Sequence, residues 1–520
     1  MKPKKLIYQM TSCLTCTTIF TGLSLSCSIN NTIVFYNYKA YLSPEIANEI
    51  YSDLDYKVFD TINEFTNAIK LNKVNAGIGS DQQAVQLIRQ NYLQPINYLD
   101  IFWPENVVKP SWAINKTIDE ILNDHESLKQ YRNYQKNLLT KEVFDHLESY
   151  DKYLIAENNK DNQPNKHLID YMVPYFNQDA VIAYNPSKID KKNQPLTSDL
   201  YDFDNKIIND ALRFNKQNSN NNSLEMIDIL QSLKHNNFKY WAITDAVRDL
   251  MIYGSSYYKI VDSPKQNSYK VESHPTGEAS TTYQPTLYKT LLNNFAQLIE
   301  DGTGEKINSK NIYLSGVGLE LVNKLIDPNS NVQVALIYNG DAIDAFDSLD
   351  NDIRVQKGTI RYLRPSGNIM LVDGLIIPLK TDENTYKQVI SAAKKYFFGG
   401  LQNQNIPYNI LNLSNKNNID LNEYSYYENA KKVGYTSAYK NAYYYMINSN
   451  FKVYDSKNQL IENESIYYQN LYKITNESTI FNFKNNTSLI KYNVKHTEAA
   501  PINMQKTNEI YTEWNLMISS

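Results

Sequence analysis

The sequence predicts an α/β protein of two lobes, each built on a largely parallel sheet wrapped by helices. Three observations lead there. At 520 residues the chain is too long for one ordinary core. From Thr32 to Gln90, strand-like apolar runs alternate with capped amphipathic helices, as a parallel sheet with crossover helices requires. Strand-like runs then recur near Tyr184 and again at Ile360–Pro378, which we read as crossings between lobes.

Each element has a local reason. Thr32-Ile33-Val34-Phe35-Tyr36-Asn37 reads as a buried strand, and Ser43-Pro44-Glu45 as a helix start with N-cap, Pro at N1 and an acid in the first turn. Tyr56 to Phe59 reads as the second strand. Thr61-Ile62-Asn63-Glu64 is a capping box, opening a helix with Ile62, Phe65 and Ile69 on one face. Val74 to Gly79 is the third strand, after which Ser80 can cap a helix from Asp81 to Gln90. Residues 103–171 lose the alternation and are charged, Tyr-rich and helical in pattern, an insertion on the first lobe. Tyr184 to Pro186 is read as the first crossing. Tyr240 to Thr244 and Val332 to Tyr338 are strands of the second lobe, Ile360 to Pro378 crosses back, and a helix from about Thr381 ends at Gly399-Gly400. Residues 441–495 are rich in Asn and Tyr and take no assignment. The expected division is a leader at 1–27, a first lobe of 28–184 with 373–437, and a second of 185–372 with 438–520. Chains of this kind leave a ligand cleft at the carboxyl ends of their strands, and a hinge between lobes lets such a cleft close.

Composition bounds the function. Lys and Arg number 52 against 56 Asp and Glu, a net charge of −4, without the basic excess a nucleic-acid binder shows. Lys2, Lys4 and Lys5 precede an apolar to small-residue run from Leu6 to Ser26, a secretory pattern rather than part of the fold. The run ends in Leu23-Ser24-Leu25-Ser26-Cys27, which resembles a bacterial lipobox with its leucines four and two residues before the cysteine. Cys27 is the expected lipidation site, anchoring the body to the outer face of the cell membrane. The other cysteines, Cys13 and Cys16, lie before it, so the body has no thiol for disulfides, zinc or catalysis. The six histidines are scattered without metal-ligand spacing. No G-x-S-x-G or H-E-x-x-H is present. The expectation is a binding protein rather than an enzyme, with no metal or cofactor.

Six segments carry a family resemblance. Phe35-Tyr36-Asn37-Tyr38-Lys39-Ala40-Tyr41 looks like the opening ligand loop of the spermidine/putrescine-binding proteins of ABC importers, which have a type II periplasmic-binding-protein fold. Val173-Pro174-Tyr175-Phe176 with Ala183-Tyr184-Asn185 resembles that family's crossover strand, and Thr244-Asp245-Ala246-Val247-Arg248-Asp249 its acidic binding turn. Ala335 to Asp341 resembles its strand ending in an aromatic, Asn and Gly. Pro365-Ser366-Gly367, Val372-Asp373 and Ile376-Ile377-Pro378 resemble the return strand, and Gly434-Tyr435-Thr436-Ser437 the last cleft loop.

The resemblance implies a ligand site, whose chemistry suits a polyamine. Desolvated ammonium groups need carboxylates, and aromatic faces cover methylenes and attract cations. Carried over by position, Tyr38 and Tyr41 are walls, Ser80 a hydroxyl contact, Asp249 and Asp373 ammonium partners, and Tyr338 and Tyr435 further aromatics. Gln82 falls where the family has an aromatic, and Asp245 neighbours an acid position held here by Ala246. Ala40 replaces a carboxylate, Lys39 a hydroxyl and Leu371 a tryptophan, which points towards a shorter amine or a ligand with one anionic end. Asp373 is the most informative acid, because it interrupts the apolar run of Leu371, Val372 and Leu375. The implied function is an extracellular solute-binding lipoprotein that captures a polyamine or related cationic small molecule and delivers it to ABC permease subunits. A surface adhesin or interaction lipoprotein on the same fold is the alternative.

Overall fold

Val34–Tyr38 alternates half-buried and buried residues and forms β1; Asp55–Phe59 forms β2, its parallel neighbour. The helix between them, Pro44–Asp53, starts where Ser43 Oγ accepts the Ile46 N–H at 3.2 Å. β3, Ala76–Ser80, is buried throughout and pairs parallel with the other edge of β1. Its Gly77 has no room for a side chain, since a Cβ would lie 2.5 Å from both the Phe65 ring and the Tyr36 carbonyl. The helix Asp81–Arg89 follows directly.

The structure is a computed structural model describing residues 32–155, 166–196, 200–218, 223–259, 269–271, 275–347, 354–403, 424–454, 457–482 and 487–519. The leader and Cys27 lie outside the described residues. The chain divides into Met1–Thr32 and Ile33–Ser520, and every element named here belongs to the second unit. Among the described residues, no helix is long and apolar enough to cross a membrane.

β4, Met172–Tyr184, is the crossing strand and is buried over its whole length. The crossing thus begins at Met172, ahead of the Tyr184 read from sequence. Beyond it come β5 (Trp241–Ile243), the antiparallel pair β6 (Tyr257–Lys259) and β7 (Tyr269–Val271), β8 (Ile312–Leu314) and β9 (Val334–Tyr338). The chain returns on β10 (Arg361–Leu363) and β11 (Gly367–Ile376). β12 (Thr436–Ser437), the hairpin β13 (Glu477–Asn482) with β14 (Thr487–Asn493), and β15 (Lys495–Thr497) complete the strands.

One mixed sheet runs β2-β1-β3-β11-β4-β9-β5-β8, with β10 and β12 added to β4 and β15 to β11. β11 is antiparallel to β3 and β4, and β4 is antiparallel to β9, while β5 lies parallel to both β8 and β9. β11, an antiparallel strand from late in the sequence, is thus inserted between β3 and β4 of this mixed α/β sheet.

Two apolar clusters flank the crossing. Phe35, Ile50, Phe65, Ile78, Val173, Phe176 and Ile376 belong to the first; Ile182, Trp241, Leu250, Phe295, Leu336 and Trp514 to the second. β4 and β11 supply residues to both. The expected insertion is helical: Ile118–Asn123, His125–Leu138 and Lys141–Ser149 send Ile121, Tyr131, Leu138, Val143 and Leu147 into the first cluster. The segment unassigned from sequence contains the helices Lys440–Ser449 and Glu462–Tyr472 besides the hairpin, and its Met446, Phe451, Tyr468 and Tyr472 also join the first cluster.

Candidate ligand-binding site

The carboxyl ends of the parallel strands converge. Tyr38, Ser80 and Tyr338 are the last residues of β1, β3 and β9, and Thr244 follows β5 directly. Asp373 lies between the two sets, on β11, where the ladder to β4 shifts register at Asp373/Gly374 and where Asp373 faces Ser80 across the ladder to β3.

Asp373 is 3% exposed. Its Oδ2 accepts the Tyr41 hydroxyl at 2.5 Å and Gln178 Nε2 at 2.8 Å, and the same Nε2 reaches the Tyr41 oxygen at 3.0 Å. Among the described residues it forms no ion pair within 4.0 Å. Burial pushes its carboxyl up to about 6, against Tyr41, Gln178 and the Arg248 charge, which favour the anion. Burial and the Asp373 charge push the Tyr41 hydroxyl far up in turn, so it stays protonated and donates. The Tyr41 ring stands 5.0 Å from Tyr38 and 5.3 Å from Tyr435 between centroids, closing an aromatic wall beside the acid.

Tyr435 fits tightly because its neighbour is Gly340: a Cβ there would fall 1.4 Å from the ring. The Tyr435 hydroxyl donates to Asp341 Oδ1 at 3.0 Å, and burial lifts the Asp341 carboxyl to about 6 as well.

On the facing side, Asp249 is already satisfied. Its Oδ2 accepts Thr244 Oγ1 at 2.7 Å, and its Oδ1 accepts the Tyr338 hydroxyl at 2.7 Å and Arg248 Nε at 3.2 Å. Arg248 Nη2 also donates to the Tyr338 oxygen at 2.7 Å, with its guanidinium 5.6 Å from the centre of that ring. The Arg248 charge also favours the anionic forms of Asp373 and Tyr38.

Of the residues expected from sequence, Tyr38, Tyr41, Ser80, Tyr435 and Asp373 form one neighbourhood, while Asp249 and Tyr338 form a second around Arg248. Gln82 sits next to Asp81, which accepts the Gln82 N–H at 2.6 Å and the Val372 N–H at 2.9 Å and is held by His146 Nε2 at 2.8 Å. Asp245 is half-buried, and desolvation raises its carboxyl, with the charge of Asp249 adding to the rise. The hydrogen bonds on Asp249 come from Thr244, Tyr338 and Arg248, not from Asp245.

Lys39, which stands where the family has a hydroxyl, is turned to solvent: its Nζ pairs with Asp60 at 2.6 Å and its side chain is 57% exposed. The parallel register places Tyr38 beside Phe59, so the next residue on each strand meets at the rim. Lys39→Thr is therefore expected to change stability by no more than about 1 kcal/mol, as for other exposed pairs; thermal unfolding checks it.

Sequence reasoning passed over Arg248, Gln178 and Asp341. The signal for Gln178 was present: Asn177-Gln178-Asp179 interrupts an otherwise apolar buried strand. Asp179 is taken by Arg364, at 2.6 Å, and by His496, at 3.0 Å, while Gln178 faces Asp373. Among the described residues there is no cluster of three His, Cys, Asp or Glu side chains able to hold a metal ion.

Residues 1–510 match a family model described as "Hypothetical lipoprotein (MG045 family)". No curated protein matches. Among solved structures, the chain is similar to the spermidine/putrescine ABC transporter substrate-binding protein PotD of Streptococcus pneumoniae, with 14% identity, a TM-score of 0.44, and coverage of 94% of this chain and 99% of that one. It is also similar to a putative spermidine/putrescine ABC transporter protein of Listeria monocytogenes (13% identity, TM-score 0.43, 94% and 98% covered). A third is the Tp0655 (TpPotD) lipoprotein of Treponema pallidum (12% identity, TM-score 0.44, 94% and 99% covered).

Proposed function

The chain belongs to the hypothetical lipoprotein family MG045, and we propose that it is the solute-binding lipoprotein of an ABC importer. In this reading it captures a polyamine, such as spermidine or putrescine, or a related cationic small molecule, and presents it to permease subunits. The observation that carries the reading is Asp373: a carboxylate buried at the crossing of the sheet, walled by Tyr38, Tyr41 and Tyr435, with no ion-pair partner among the described residues. An ammonium group supplies the missing charge, and the tyrosine faces cover the methylenes attached to it. The Arg248–Asp249 pair bears on the length of the ligand. Because Asp249 is already neutralised, it favours a shorter amine, or one whose far end is anionic, over a long polycation. A thermal-shift screen of diamines, polyamines, thiamine and amino acids tests the reading. Stabilisation by amines that vanishes in Asp373→Asn supports it, and stabilisation by none of them sinks it.

Anchoring belongs to the same reading. Cys27 is the lipid attachment site, so Cys27→Ala, with Cys13 and Cys16 intact, is expected to release the protein from membranes or leave an unprocessed precursor. Metabolic labelling with a fatty acid checks this, and label persisting in the variant refutes it.

A further inference from the structure

Gln178 has a second half that its hydrogen bonds do not use. It is 7% exposed, and its Nε2 is committed to Asp373 Oδ2 and the Tyr41 oxygen. Those bonds fix the amide, because only the NH2 end can face a carboxylate. Oε1 therefore points the other way, where it is buried without a hydrogen-bond partner. Ser80 Oγ, on the residue facing Asp373 across the ladder, is fully buried; it sits in the capping-box position over the Gln83 N–H without forming a hydrogen bond of good geometry. Folded proteins leave few buried polar atoms unpaired, and two of those left here, Gln178 Oε1 and Ser80 Oγ, belong to residues that flank Asp373.

The common feature of these oxygens is that both can accept. A primary ammonium carries three N–H donors and no acceptor, the complement of such a set, and each methyl group added to the nitrogen removes one donor. The adjoining tyrosine walls suit an alkyl chain on that nitrogen rather than a bare ion. We propose that Gln178, acting through Oε1 with Ser80 Oγ beside the Asp373 carboxylate, is a specificity-determining residue that selects a primary ammonium headgroup over its N-methylated forms. The inference rests on the amine-capture reading above and narrows it to a headgroup chemistry.

The test compares putrescine with N,N,N′,N′-tetramethylputrescine by titration calorimetry on the full-length protein in detergent. The wild type is expected to prefer putrescine by about tenfold or more, the effect of charge-assisted hydrogen bonds lost to methylation. Gln178→Met keeps the length of the side chain and is expected to erase most of that preference. The ratio of the two affinities, rather than either alone, reads Oε1, because loss of the Nε2 bonds weakens both amines alike. Ser80→Ala, which removes one hydroxyl, should lower the ratio in the same direction, so the inference stays testable even if Gln178→Met fails to fold. A wild type that binds both amines equally, or a folded Gln178→Met or Ser80→Ala variant that keeps the full preference, overturns the headgroup inference while leaving amine capture standing. If neither amine binds the wild type, the headgroup inference falls, and amine capture is then decided by the wider thermal-shift screen.

Discussion

Asp373→Asn is expected to weaken amine binding by roughly two to three orders of magnitude. Opposite charges about 4 Å apart at an effective dielectric near 20 attract by about 4 kcal/mol before desolvation, whereas an aromatic wall contributes roughly 0.5–2 kcal/mol. Losing the acid should therefore cost far more than losing Tyr38 or Tyr435. The same carboxyl sets a pH dependence. Burial raises it from 3.8 to about 6, so the folded protein holds a proton there that the unfolded chain has released. Without ligand, stability accordingly falls as pH rises through that window, by at most roughly 3 kcal/mol. Amine affinity runs the opposite way, growing as pH passes 6, because the cation binds the ionised form. Asparagine cannot ionise, so the variant should be no less stable than the parent at neutral pH and should bind weakly at every pH. Calorimetry from acid to neutral pH, with thermal unfolding of the free protein, measures both arms. Unchanged affinity in Asp373→Asn would remove cation capture.

Much of the first half of this fold was legible because its signals are local. Ser43-Pro44-Glu45 states a helix start within three residues, and the helix begins there. The runs around Val34, Val58 and Ile78 each form strands, offset by a residue or two at their ends. Asp373 stood out for a related reason, being one acid inside an apolar run. What stayed hidden depends on register and partners. The partner of Lys39, Asp60, lies on the neighbouring strand, and only the pairing of β1 with β2 brings them together. Asp249 looked like a free ligand acid because sequence does not show that Arg248, the adjacent residue, folds back onto it and onto Tyr338, ninety positions later. Residues 441–495 resisted assignment because tyrosine builds part of their apolar contacts. Tyr443 stacks on Tyr472, and Tyr472 on Phe451, so no aliphatic periodicity marks these helices.

Arg248→Met is expected to change what the site prefers. In the parent, the guanidinium occupies the Asp249–Tyr338 cradle that a second ammonium group would need. The side chains of Arg248 and Asp249 are only 17% and 4% exposed. Removing one partner of so buried a pair costs about 3–5 kcal/mol, because the remaining charge is left unpaired. Methionine keeps the bulk of the side chain and removes its charge, so the free variant should unfold at a lower temperature than the parent. A ligand whose second ammonium reaches Asp249 then recovers part of that loss on binding. Spermidine should stabilise the variant more than it stabilises the parent and bind it about tenfold or more tightly. A ligand with an anionic far end should respond in the opposite sense. Putrescine and 4-aminobutyrate differ in whether that end is an ammonium or a carboxylate, and Arg248 attracts the second and repels the first. The ratio of putrescine to 4-aminobutyrate affinity should therefore rise by at least about tenfold in Arg248→Met. Calorimetry of both compounds on parent and variant decides the matter. An unchanged ratio in a folded variant would mean that Arg248 braces Asp249 and Tyr338 without contributing to ligand choice.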